Sequence, residues 1–585
     1  MQNRILYLTI YSVLLILISA VFVQCSSVNG QDSTITNNSN VPQLKDASLK
    51  VEKVLSGLNL PTNIAFIDNN DFLILEKNGT VQRAVNGNVS DKPLLKVNVS
   101  NGFFQGMLGI AIAQYDKNSS NTTATSSSNK PPLSVFLFYT EDKGSGNTPI
   151  GNRLYRYDLV NNKLINPKLL LDLPAIPDSW GNGGAITIGP DNYIYVTMGS
   201  AGSDNFTPQS MTLNYRNSTI VDGRAGILRI TQDGQPVDQE ILGDTYPLNL
   251  YYAYGMENSY GIAFDPITNN LWDVENDGSF NDEVNIVKPG FNSGYGMISG
   301  LSVESPAVPS ALVNFSGKGI YKDPEFVWVK KPVATGIKFL TSDKLGKQYQ
   351  NDLFIGGFQD GRIYNFSLNA DRTHLALPQS LSSGSLASSD LPIADPIIFG
   401  EGFGGISNLA VGPDGYLYVV SIGTGDIYRI FESANASSKT TSSTNATSSG
   451  ISSTGIVTNA SNVTAIGQKN ITAVSIEPDA SDLADKAFNP SIANIKVGDT
   501  VVWTNNDPII HTIVEGNPSL PSPASTIRPE ASTTDIGFGS GFLNQGMTFK
   551  HTFDKPGTFN YYCSVHPTMV GKVVVSSQKY NDVQR

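Results

Sequence analysis

Cys563-Ser564-Val565-His566-Pro567-Thr568-Met569 sets a thiol, an imidazole and a thioether at i, i+3 and i+6, at the end of a strand-like segment. All three can face one metal if the chain turns back after the cysteine, and Pro567 stiffens such a turn. A second imidazole completes a trigonal set, and His511 follows the Asn505-Asn506-Asp507-Pro508 turn on another strand. Two nitrogens and a thiolate in a plane, with a weak axial thioether, suit copper in both oxidation states, so one-electron exchange needs little reorganisation. The pattern predicts type 1 copper on His511, Cys563, His566 and Met569, and electron transfer instead of bond making. Zinc is the competing ion, but a single thiolate beside a thioether fits it poorly. A lone buried cysteine is ordinarily an inert apolar group; four donors in this order are what point to a metal.

The surrounding segments read as a compact β-sandwich. Ile495 to Asn505 runs through a turn into an alternating strand, and Phe549 to Phe553, Gly557 to Tyr562 and Lys572 to Val575 supply more. With Phe488-Asn489-Pro490, Val497-Gly498-Asp499 and Tyr562-Cys563, the region resembles the plastocyanin/amicyanin family of cupredoxins. The resemblance implies a Greek-key β-sandwich over residues 471–577, and the short loop from Cys563 to Met569 is similar to the amicyanin type. His551 lies outside the ligand pattern and is read as a surface residue; His374 falls in a polar turn and is given no role.

Upstream, a Ser/Thr/Asn-rich stretch over 432–470 is a linker, too poor in apolar groups to offset the entropy of ordering. Before it, aromatic strand-like runs recur: Asp71 to Leu75, Val135 to Tyr139, Tyr193 to Val196, Asn270 to Val274, Asp352 to Ile355 and Tyr416 to Val420. Their spacing of roughly 40 to 80 residues suits propeller blades with loop insertions. A blade cannot bury both faces alone, so about six must close into a ring, with the strand near Val51 to Val54 completing the last blade. Gly189-Pro190-Asp191-Asn192 and Gly412-Pro413-Asp414-Gly415 mark equivalent turns in two of the units. The expected fold class is all-β: a six-bladed β-propeller over 46–431 followed by the cupredoxin sandwich.

The propeller segment resembles the glucose/sorbosone dehydrogenase family through Gln105 to Gly109, Gly183 to Asp191, Ala253 to Asn258, Gly261 to Pro266 and Asp282 to Asn285. That resemblance implies pyrroloquinoline quinone (PQQ) as a candidate cofactor, a sugar or alcohol substrate, and hydride transfer assisted by a histidine base. It carries cofactor-binding roles onto Gln105 and Asn258. The chain departs from the pattern elsewhere. The base position holds Gly181 or Asn182, an arginine position holds Glu257, Gly405 to Asn408 lack arginine, and no lysine stands near Gln359. Glu257 and Asp282 are the alternative bases, and a carboxylate at 257 inverts the charge offered to an anionic cofactor. The acidic loop from Asp273 to Glu283 makes Asp277, Asp282 and Glu283 candidate calcium ligands, although its spacing is not that of an EF-hand; a solvated acidic turn is the alternative. Two functions stay open: copper that takes electrons from the propeller's substrate or an extracellular partner, and a copper carrier tethered to a non-catalytic propeller that binds a glycan or protein.

The start of the chain, Arg4 followed by apolar residues from Ile5 to Val23, reads as an export signal over 1–25 or an uncleaved membrane anchor, with a polar tether over 26–45. Cys25 sits where a lipoprotein cysteine would, though Gln24 is larger than the residue such sites want. The other cysteine is Cys563, so no internal disulfide is expected in an exported mature chain. Sequons from Asn78 to Asn470 are compatible with glycosylation at an extracellular or cell-surface location. A net charge of -12 excludes nucleic acid as a partner, since no basic surplus exists to neutralise phosphates.

Overall fold

The computed structural model describes residues 42–577 apart from 101, 103, 114–132, 145–147, 178, 180, 202–220, 277–280, 305–306, 308, 331, 379–380, 382–385, 389–395, 434–470, 508–510, 517–539, 541–542, 544–545, 564–565 and 567. The run from Ile5 to Val23, Cys25, Asp277, Pro508 and Pro567 therefore lie outside the described residues. No helix among the described residues is long and apolar enough to cross a membrane.

Between Leu49 and Glu432 the chain forms six sheets, each starting from an inner strand: Pro61–Asp68, Met107–Ala113, Ile186–Ile188, Ser259–Phe264, Ala334–Phe339 and Ile406–Val411. Inner strands of successive sheets neighbour one another, and the last neighbours the first, so the ring closes. The second strand of each sheet contains one of the aromatic runs, for example Asp71–Glu76, Leu271–Asn276 and Leu417–Ser421, with nearly every residue buried. Burial on both faces follows from stacking each blade between two others, which is why these strands are buried along nearly their whole length and not on alternate residues. Closure falls to Leu49–Leu55, which pairs antiparallel with Asp426–Glu432 as the outer strand of the sixth sheet, where the early strand was expected.

Hydroxyl groups staple neighbouring blades. Thr62 donates to Met107 O at 2.7 Å, Thr197 to Ser259 O at 2.8 Å, Thr335 to Ile406 O at 2.7 Å and Ser407 to Pro61 O at 2.8 Å. The inner strands approach so closely that a Cβ on Gly109 would lie 1.9 Å from Gly184 O. The repeated turns also share a bond: Tyr195 donates to Asp191 at 2.7 Å and Tyr418 to Asp414 at 2.8 Å.

From Ile471 to Ser576 two four-stranded sheets form a sandwich. One runs Phe488–Asn489, Ile471–Ile476, Thr500–Asn505 and Thr548–Thr552; the other runs Ile492–Lys496, Val570–Ser576, Gly557–Tyr562 and Val514–Glu515. Burial alternates along Ile492–Lys496 and Thr500–Asn505, the period-2 signature of strands with one face inward. The inward set centres on Trp503, whose ring lies 5.3 Å from Tyr561 and 5.6 Å from Phe549. His551, expected at the surface, is half-buried, with its ring 4.7 Å from that of Phe553, and burial pushes its imidazole down.

Candidate metal centre and central cavity

Strand register builds the metal centre. Gly557–Tyr562 and Val570–Ser576 pair antiparallel with Tyr562 opposite Val570, so the loop between them must bring Cys563 beside Met569. Cys563 N donates to Met569 O at 3.1 Å, and Met569 N to His566 O at 2.9 Å, which folds the loop back as the i, i+3, i+6 spacing requires. His511 arrives on a segment bridged to Leu543 and followed by Val514–Glu515, whose Val514 pairs with Tyr562. Residues separated by half a hundred positions thus meet at one end of the sandwich.

The donor atoms converge. His511 Nδ1 and His566 Nδ1 each lie 3.7 Å from Cys563 Sγ and 3.1 Å from one another. The circle through these three atoms has a radius of roughly 2.0 Å, the length of a metal–imidazole bond and slightly less than a metal–thiolate bond. His511, Cys563, His566 and the Met569 side chain are all buried. Burial would raise the Cys563 thiol, but hydrogen bonds and charge from His511 and His566 overcome it and bring the group down to about 5, favouring the thiolate. Thr512 N–H adds a bond to Sγ at 3.3 Å. His566 Nε2 is a buried nitrogen with no hydrogen-bond partner among the described residues.

Asp507 completes the surroundings and was not singled out from sequence. Its carboxylate, 1% exposed, meets His511 Nε2 at 3.0 Å and accepts Ala480 N–H at 2.7 Å. A bond at Nε2 fixes the tautomer that leaves Nδ1 as the metal donor. Burial alone would lower the His511 imidazole; Asp507 and Cys563 together raise it. The available signal was the Asn-Asn-Asp turn four residues ahead of the ligand, where Asn505 Oδ1 accepts Asp507 N–H at 2.9 Å.

The propeller has a cavity at the end where its inner strands begin, lined by Asn63, Lys77, Phe104, Tyr260, Phe358 and Asn408 among others. Lys77 follows Asp71–Glu76, donates to Gly102 O at 2.8 Å, and burial pushes its amine down to about 8. The rings of Phe104 and Tyr260 lie 6.4 Å apart, and burial raises the Tyr260 phenol.

Gln105 and Asn258 stand behind this wall. Gln105 accepts from Ser100 at 2.6 Å and donates to Ile176 O at 2.6 Å, while Asn258 accepts Gly183 N–H at 3.0 Å. Glu257 and Asp282, the alternative bases, are buried and do not line the cavity; Asp282 accepts Ala334 N–H at 2.8 Å. Asp282 and Glu283 are consecutive in Asp282–Val287, so their side chains take opposite faces and do not converge on one ion. Glu283 instead accepts Gly300 N–H at 2.7 Å and sits opposite Glu275, next to the Asp273–Asn285 pair. Burial raises Asp273 to about 7, and burial with the charges of Glu283 and Asp273 raises Glu275. His374 is exposed, its Nδ1 3.0 Å from Glu325 Oε2.

The described lining residues do not fit PQQ, a planar tricarboxylate. Among the described lining residues Lys77 is the single charged side chain, with no guanidinium or imidazole to meet the other carboxylates. Unpaired carboxylates in a half-buried site cost several kcal/mol each.

Fold and site together define an all-β protein that joins a propeller to a cupredoxin. The chain belongs to the glucose/sorbosone dehydrogenase family, whose model matches residues 58–429, and the model of copper-binding proteins of the plastocyanin/azurin family matches residues 474–576. It is 25% identical over 381 residues to the aldose sugar dehydrogenase YliI of Escherichia coli, covering 64% of this chain and 90% of that one. It is 34% identical over 98 residues to the plastocyanin of Tetradesmus obliquus, 16% of this chain and 62% of that one. The solved structure of the apo-form of the soluble E. coli aldose sugar dehydrogenase aligns over 66% of this chain and 100% of that one, at 22% identity and a TM-score of 0.48.

Proposed function

We propose that this chain is an exported one-electron carrier whose type 1 copper is held by His511, Cys563, His566 and Met569, coupled to a propeller that serves as a binding platform. The observation that carries the reading is the buried triangle of two Nδ1 atoms and one Sγ, with edges of 3.1 to 3.7 Å. Copper bound there would supply one-electron exchange between its cuprous and cupric states. The chain's own part is to keep the thiolate deprotonated, hold His511 through Asp507, and exclude water from the donors. A rigid sandwich end keeps the donor set fixed through the redox change, which keeps reorganisation small.

The platform reading of the propeller is favoured over a dehydrogenase by its cavity. The described lining has neither histidine nor carboxylate, so neither the histidine base that the family resemblance implies nor an acidic substitute for it faces the ligand there. An extracellular redox protein as electron partner, and a membrane attachment through the first residues, are part of the same proposal. The test is stoichiometric redox titration of the copper-loaded chain in the presence and absence of sugars. One electron per chain from a chemical reductant, with no sugar-driven reduction, supports the reading; rapid bleaching by a sugar alone would assign the propeller an enzymatic role instead.

A further inference from the structure

We propose that Asn88 carries an N-linked glycan whose first sugar covers the open groove between the outer edges of the first and last blades of the propeller. The inference rests on the export in the reading above and goes beyond it to a modification and its place.

Among the described residues the asparagines of the sequons at 78, 88, 98, 314 and 365 stand in different surroundings. Such a triplet is modified at the surface, so its asparagine amide and its hydroxyl must both be reachable. Thr80 is buried and donates to Asn78 Oδ1 at 2.6 Å, and Lys96 donates to both side chains. Ser100, the hydroxyl residue of the Asn98 triplet, is buried and donates to Gln105 at 2.6 Å. Asn365 lies within Ile363–Phe366, its amide donating to Asp352 and to Leu353 O, while Ser367 also bonds Asp352. Asn314 is exposed, but its Oδ1 accepts Gly317 N–H in a tight turn that holds Phe315 and Ser316 at positive φ.

The triplet Asn88-Val89-Ser90 is open and extended. Asn88 is exposed on the two-residue strand Asn88–Val89 at the outer edge of its sheet, and Ser90 is half-buried. Asn88 Nδ2 gives one hydrogen to Asn86 O at 3.1 Å, which leaves the other for substitution. The reaction replaces that hydrogen by the anomeric carbon of a sugar supplied as a diphosphate ester. The bond from C1 to the diphosphate oxygen breaks, the Nδ2–C1 bond forms, and diphosphate and a proton leave.

The groove beside Asn88 gives the sugar its place. Residues 87–89 form one wall and residues 53–56 the other. Leu49–Leu55 is the outer strand of the last blade, so both walls are terminal strands of their sheets. The register shifts between Lys53 and Leu55, which takes Val54 out of the regular ladder. Uncovered strand edges invite pairing with another chain. A sugar on Asn88 Nδ2 would lie over this groove, its C–H face against Val54 and Val89, and would block edge pairing there.

Glycopeptide mass spectrometry of the full-length chain, purified from the cells that make it and fragmented so as to locate the sugar, tests the proposal. A sugar-bearing Asn88 is expected, with Asn365 bare. In Asn88→Gln from the same cells the glycan mass should be lost, and with it the protection of the Val54 to Ser56 amides from hydrogen exchange. Site mapping on the unsubstituted protein stands whether or not the variant folds. An Asn88 found only unmodified would overturn the proposal; sugar on other sequons would then leave export standing, and the copper spectrum of the same material reads the electron-carrier function independently. Equal exchange at Val54 to Ser56 with and without the glycan would overturn the covering of the groove.

Discussion

His511 Nδ1 stands 3.7 Å from Cys563 Sγ with neither atom exposed to solvent, although 51 residues separate the two in sequence. A buried thiolate facing two imidazole nitrogens suits metal binding, because a cation among the three donors offsets the cost of desolvating the thiolate. The relationship depends on Val514 pairing with Tyr562, which lays the His511 segment along the cysteine strand.

The carboxylate of Asp507 acts on the metal through His511. Negative charge hydrogen-bonded to a ligand imidazole favours the more positive oxidation state of the ion, so Asp507→Asn should raise the reduction potential of the copper-loaded chain. The expected rise is on the order of 60 mV, the one-electron equivalent of about 1.4 kcal/mol. Spectroelectrochemistry reads it directly; an unchanged or lowered potential would remove Asp507 from the account.

Stability of the propeller should depend on pH through Asp273. Burial raises its carboxyl to about 7 in the folded chain, while the unfolded chain titrates it near 4. Between those values the folded state binds the extra proton, so this group's contribution to stability falls as pH rises from about 4 to 7 and levels off above. Asp273→Asn removes the titration, so its melting temperature relative to the unsubstituted protein should climb from pH 4.5 to pH 7.5. Scanning calorimetry at the two pH values checks the sign, and a constant difference would show that the buried carboxyl does not titrate in that window.

Close approach at the ring centre should make Gly109 intolerant of any side chain. A Cβ there would overlap Gly184 O, so Gly109→Ala must push apart the inner strands of two blades. Destabilisation by about 3 kcal/mol is expected from overpacking of this kind, visible as a lowered denaturant midpoint of the propeller transition with the sandwich transition unchanged.

Much of this was legible in the sequence, for identifiable reasons. Cys563, His566 and Met569 share one short loop, so their spacing alone constrains their geometry, and the aromatic second strands recur because every blade is buried on both faces. Lys77 escaped notice because it joins Tyr260, Phe358 and Asn408 only once the ring closes, and no local pattern records that meeting. The position near Gln359 where the family resemblance expects a lysine lies in one blade, while Lys77, the charged side chain of the described lining, comes from another. Asp282 and Glu283 were grouped by proximity in sequence, yet strand alternation separates adjacent side chains. Asp507 was in view within its turn, but its role needed the 3.0 Å contact with His511.

The central claim is tested most directly by titrating the metal-free, full-length chain with copper(II) while recording its visible absorption spectrum. The account predicts one strongly bound ion per chain and an intense thiolate-to-copper band, absent in Cys563→Ser and altered in His511→Ala. A colourless copper complex, or a band that survives loss of the Cys563 sulfur, would contradict it.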